Sequence, residues 1–101
     1  MSSLKIEKKF AADGVTLILC GRFGNNTASE VEAAVKEVLP NCQKLTFDFA
    51  GVDYISSAGL RVLLMAKKSL GSGVSVDICN ANDVVKEIFE ISGFSKILQV
   101  H

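Results

Sequence analysis

The chain has 101 residues, enough for one domain whose single modest core needs no disulfide or metal staple. Apolar residues make up 49% and charged residues 22%, and eleven basic side chains cancel eleven acidic ones. That balance gives no bulk field for nucleic acid or an anionic membrane, and no apolar run approaches the roughly 20 residues of a spanning helix. Met1-Ser2-Ser3-Leu4-Lys5 leads straight into an alternating strand, without the apolar region of a signal peptide, so a cytoplasmic setting is expected.

Leu4 to Phe10 alternates Leu4, Ile6, Lys8 and Phe10 with charged neighbours, as an edge strand does. Asp13-Gly14 marks a turn, and Val15 to Cys20 follows as a strongly apolar strand, so the two form a hairpin. Thr27-Ala28-Ser29-Glu30 has capping-box spacing, and Val31, Val35 and Val38 then recur at helical intervals until Leu39-Pro40 stops the helix. A third strand is expected over Leu45 to Phe49, and a helix from about Ser57 to Leu70 with Lys67 and Lys68 in its last turn and Gly71 as its cap. Val74, Val76 and Ile78 alternate with Ser75 and Asp77 in a fourth strand. Asn82 or Asp83 caps a third helix carrying Val84, Val85, Ile88, Phe89 and Ile91, which Gly93 closes, and Ile97 to Val100 makes a short last strand.

Strands alternating with helices behind a hairpin imply an α/β domain with one mixed, mostly parallel sheet. Parallel strands covered on both faces read as continuous apolar runs. Here Thr46, Asp48, Ser75 and Asp77 interrupt them, which places the helices mainly on one face. The cysteines are three, widely spaced: Cys20 and Cys79 in apolar strands read as buried free thiols, and Cys42 after Pro40-Asn41 as a more exposed one. Neither disulfide nor metal spacing is present, which fits a reducing compartment.

The densest information lies between Lys44 and Leu64. There an alternating strand gives way to Ser56-Ser57-Ala58-Gly59, a pair of hydroxyls where a helix opens, followed by Leu60, Leu63 and Leu64. A helix N-terminus carries unpaired N–H groups and a partial positive charge. Serine there is a cap, a phosphate acceptor or both, and on local sequence alone the cap is the commoner role.

At these residues the chain resembles the bacterial anti-sigma factor antagonists built on the STAS domain, whose signature is Asp-Ser-Ser/Thr-Gly-Leu opening a helix after an apolar strand. Ser56-Ser57-Ala58-Gly59-Leu60 would be that block. Gly21-Arg22-Phe23-Gly24-Asn25-Asn26-Thr27-Ala28 is similar to the family's Gly-Glu-Leu-Asp-x-x-Thr-Ala. Val85-Lys86-Glu87-Ile88-Phe89-Glu90-Ile91-Ser92-Gly93-Phe94 is similar to its Val-x-x-x-Phe-x-x-Ser/Thr-Gly-Leu. The three blocks stand in register over nearly the whole chain.

The resemblance implies a single STAS domain over residues 1–101 acting as a phosphorylation-controlled binding switch. Ser57 would be the phosphate acceptor, with Ser56 the second candidate. Unmodified, the protein would bind an anti-sigma factor that is also a serine kinase; phosphorylated, it would release it; a PP2C-type phosphatase would reset it. The implied partner-binding residues are Gly24, Asn25, Asn26, Thr27, Ser56, Ala58, Gly59 and Arg61, with an exposed Val62 or Met65 helping a partner dock. Ser56 and Gly24 stand where relatives carry Asp, and Arg61 where a small residue is usual. Arg61 lies four residues after Ser57, within reach of a phosphate on it or as a solvated surface cation. The alternatives are a STAS subunit of another assembly, a lipid-transport complex or another partner-switching pathway, and a small-ligand or nucleotide-binding module, in which the serine is not phosphorylated.

No catalytic constellation competes with these readings. The single histidine is His101, so a serine or cysteine nucleophile has no evident base. Gly71-Ser72-Gly73 follows a helix rather than opening one, no phosphate-binding Gly-Lys loop is present, and Asp48 and Asp53 read as strand-end and turn residues rather than metal ligands. No enzyme activity, cofactor, nucleic-acid partner or membrane insertion is expected.

Overall fold

The computed structural model describes residues 4–38, 43–70 and 75–100. Strands β1 (Leu4–Phe10) and β2 (Val15–Phe23) pair antiparallel from Phe10 with Val15 to Leu4 with Gly21. The turn between them is closed by the Ala11 N–H donating to Gly14 O at 2.8 Å. Helix α1 (Ala28–Val38), strand β3 (Lys44–Ile55), helix α2 (Ser57–Leu70), strand β4 (Ser75–Cys79), helix α3 (Asp83–Ser92) and a two-residue strand β5 (Gln99–Val100) follow. Among the described residues the sheet has five strands in the order β1-β2-β3-β4-β5, with every pair after the hairpin parallel. This is the expected mixed, mostly parallel α/β sheet with an N-terminal hairpin.

Alternation along the strands decides where the helices sit. Leu17, Leu19, Leu45, Phe47, Phe49, Val76 and Ile78 are all fully or nearly fully buried, against Val31 and Val35 of α1, Leu63 and Ala66 of α2, and Val85 and Phe89 of α3. Their neighbours Thr16, Ile18, Thr46, Asp48 and Asp77 remain half-buried on the other face. Side chains on a strand point alternately to opposite faces, so one face takes the helices and the other stays partly open. Both strand cysteines fall in that open set. Cys20 is exposed and Cys79 half-buried, which corrects the expectation of two buried thiols.

Strand lengths also differ from expectation. β2 continues past Cys20 to Phe23 and β3 past Phe49 to Ile55, and the two extensions pair with each other after register shifts near Cys20 and Gly21. Mutual hydrogen bonding overrides the turn-like composition of both tails. At the other end β5 is only Gln99–Val100; Leu98 is buried while Ile97 is 44% exposed, at the exit of a single 3-10 turn over Phe94–Lys96. Between the two candidate caps of α3 the structure selects Asn82, whose side chain accepts the Val85 N–H at 2.8 Å and donates to Val52 O at 3.2 Å. Gly93 ends that helix at φ 82°, a left-handed conformation that glycine adopts without strain. Leu39-Pro40, Cys42, Gly71 to Val74 and His101 lie outside the described residues.

The extended tails carry the core up to the sheet edge where α2 begins. Phe23 packs edge-on to Phe49 at 6.1 Å between ring centroids, and Phe49 meets Phe89 at 6.0 Å. A line of buried rings thus runs from α3 to the end of β2, and gives the loops above it a rigid floor.

Candidate functional site

The site forms where β3 hands over to α2. The Ser56 N–H donates to Phe23 O at 3.0 Å, tying the chain to the neighbouring strand just before the helix starts. The Ser56 hydroxyl accepts the Gly59 N–H at 3.3 Å and its carbonyl accepts the Leu60 N–H at 3.0 Å. Ser56 is therefore the N-cap of α2. Ser57 is the first helical residue, exposed, and its hydroxyl makes no hydrogen bond among the described residues. The two roles left open by the local sequence are divided between neighbours: one serine is committed to the backbone and the other is free.

Gly59 is buried rather than presented at the surface. A Cβ there would stand 2.7 Å from Ile55 Cγ1 and 3.0 Å from Phe23 O, so only glycine allows α2 to settle this closely on the ends of β2 and β3. Thr27, at 3% exposure, is similarly internal. Its hydroxyl accepts the Gly24 N–H at 2.9 Å and donates to Arg22 O at 2.6 Å, while the Ala28 N–H donates to Gly24 O at 2.9 Å. Thr27 and Gly59 hold the loop and the helix in place; Asn25, Asn26, Ser57 and Arg61 are the exposed members of the set.

The structure brings the loop and the helix start together, as expected. The Gly24–Thr27 loop, Ser56, Arg22 and Tyr54 enclose a cavity of about 330 Å³. A second, of about 470 Å³, lies between α1 and α2 and is bounded by Asn25, Glu32, Ala58, Arg61, Val62 and Met65 among others. Asn25 borders both, and Ser57's neighbours Ser56 and Ala58 line the first and the second respectively. Val62 is only 7% exposed, which corrects its expected exposure, and Met65 is half-buried along the second cavity.

Two residues of the first cavity were not singled out as site residues. Arg22 and Tyr54 are register partners on the paired tails of β2 and β3, and the Arg22 guanidinium carbon sits 5.7 Å from the centroid of the Tyr54 ring. The signal that could have found them is that pairing, which requires both strands to run past the points where their composition turns loop-like.

Elsewhere the described residues give chemistry little to work with. No group of three or more His, Cys, Asp or Glu side chains there could hold a metal ion. Asp48 accepts from the Ala50 N–H at 3.0 Å and the Asn80 amide at 3.2 Å. Burial first, then the negative charges of Asp48 and Asp77, push the Cys79 thiol above its ordinary range, leaving it protonated and a poor nucleophile at neutral pH. No helix among the described residues is long and apolar enough to cross a membrane.

A mostly parallel sheet behind a hairpin, helices on one face, and a capping serine beside an exposed one at the sheet edge define a small α/β domain. The family model described as Mlab, STAS domain matches residues 6–99, and the chain belongs to the STAS domain family. A Bordetella bronchiseptica protein, BtrV, whose name gives it as a candidate anti-sigma factor antagonist, is 40% identical over 93 residues, covering 87% of this chain and 78% of that one. A crystal structure of an anti-sigma factor antagonist from Mycobacterium paratuberculosis superposes with a TM-score of 0.90 at 18% identity, covering 98% of this chain and 86% of that one. The antagonist SpoIIAA in its unphosphorylated form gives 0.83 at 14% identity, with 96% and 88% coverage. The Bacillus SpoIIAA in its phosphorylated form gives 0.75 at 13% identity, with 96% and 91% coverage.

Proposed function

We propose that this chain is a cytoplasmic anti-sigma factor antagonist working as a phosphorylation-controlled switch. Unmodified, it binds an anti-sigma factor that is also a serine kinase. That kinase transfers the γ-phosphoryl group of ATP to Ser57 Oγ, forming a phosphomonoester and ADP, and the modified protein lets go. A PP2C-type phosphatase hydrolyses the ester and restores binding. The chain supplies only the acceptor, and the base that takes the hydroxyl proton belongs to the kinase.

The observation that carries this reading is the division of labour at α2. Ser56 caps the helix through Gly59, which leaves the Ser57 hydroxyl exposed at a helix N-terminus. A phosphate there adds about −1.5 to −2 charge beside amides and a dipole that favour an anion. The identity to BtrV favours the antagonist over a transport subunit of the same family.

Intact mass measured after incubation with the anti-sigma kinase and ATP tests it. The wild-type chain and Ser56→Ala should gain one phosphate, and Ser57→Ala none, while Ser57→Ala still binds the kinase. Fragment spectra locating the phosphate on Ser56 would overturn the assignment.

A further inference from the structure

The cavity beside Ser56 has an unusual charge. Among the described residues Arg22 is the one charged side chain lining it. Ion pairs join Lys8 to Glu37, Lys36 to Glu32 and Lys44 to Asp77, and Arg22 takes part in none of these. The Arg22 guanidinium instead lies over the Tyr54 face, at 5.7 Å from the ring centroid. Stacking on a ring orients a guanidinium while leaving its N–H donors available. A planar fork held this way matches a carboxylate, which it takes through two parallel hydrogen bonds. The loop is uncrowded at Gly24, where nothing lies within 4 Å of where a Cβ would stand.

We propose that this cavity receives an aspartate or glutamate side chain of the anti-sigma factor, held by Arg22, and so selects a partner with an acidic docking residue. The proposal rests on the antagonist reading and adds the chemistry of the partner surface. It also explains release. Ser56 lines the cavity and Ser57 is the next residue. A phosphate on Ser57 adds negative charge beside a carboxylate seated there and repels it.

The test is binding of the full chain to the purified anti-sigma factor, measured at low and high salt for wild type, Arg22→Ala, Arg22→Lys and Arg22→Glu. Arg22→Ala should weaken binding by at least about tenfold and Arg22→Glu by about a hundredfold, with Arg22→Lys between wild type and alanine. Added salt should weaken the wild-type complex more than the alanine variant. Changing one acidic residue of the partner to arginine should restore binding to Arg22→Glu. Arg22 is exposed, so thermal melts of the variants should stay close to wild type and separate lost contact from lost fold. Binding of Arg22→Glu within about twofold of wild type overturns the proposal while leaving the antagonist reading intact. So does binding of inorganic phosphate or ATP that disappears in Arg22→Ala while partner affinity holds. Absence of any wild-type binding overturns the antagonist reading, and the acidic partner falls with it.

Discussion

Ser56 and Ser57 are chemically identical and differ only in what the backbone has already claimed. The cap bond from the Gly59 N–H to Ser56 Oγ, 3.3 Å long, satisfies one of the orphan donors at the start of α2. Ser56→Ala removes it and should cost about 0.5–1 kcal/mol, the low end for caps because the bond is long. Ser57→Ala removes an exposed hydroxyl with no partner and should stay within about 0.5 kcal/mol of wild type. Chemical denaturation of the two variants checks this ordering, and the reverse ordering would assign the cap to Ser57. The same contrast separates stability from modification: the serine that matters more to the helix is the one that should not take up phosphate.

At the scale of elements, what was legible depended on whether a signal is local. Helix α2 was expected from about Ser57 to Leu70 and spans those residues, because a cap and a helical apolar period both lie within one stretch. The hairpin and the helix-bearing face followed from alternation in the same way. The tails of β2 and β3 were not legible. Gly21 and Gly51 with Asp53 look like turn chemistry, and only pairing between segments some thirty residues apart makes them strand. Two of the seven residues lining the first cavity went unread with them, since Arg22 and Tyr54 meet through that pairing. The Gly24–Thr27 loop and the serines were found because their spacing is contained in short motifs.

Helix α2 also carries the next prediction. Ser57 and Arg61 are both exposed and stand one turn apart on it. An anion four residues N-terminal to a cation is the favourable order for a helical pair. Arg61→Ala should therefore lower the stability of phosphorylated protein by about 0.3–1 kcal/mol more than that of unmodified protein, the scale of exposed pairs. Added salt should shrink the difference. If Arg61 instead contacts an acidic partner residue, affinity falls and both phosphorylation states lose stability equally. Thermal melts of the four species at two salt concentrations separate the two outcomes.

For the molecule as a whole, the question is whether the switch acts through the fold or through its surface. Ser57 opens a helix anchored below by Gly59 against Phe23 and Ile55, over a line of packed rings. SpoIIAA shares this fold in both its unphosphorylated and phosphorylated forms. A global change would have to break packing of that kind, which costs several kcal/mol, whereas a charge at the helix start is electrostatically welcome. Release should then come from charge and bulk placed in the interface. Ser57→Asp should weaken binding to the anti-sigma factor by at least about 1.4 kcal/mol, or tenfold. Its thermal midpoint should hold or rise slightly, because a carboxylate suits the first turn. Calorimetric binding and melting of the same preparation measure both quantities together. A clear fall in midpoint with unchanged affinity would show the opposite: a switch that works by loosening α2 from the sheet.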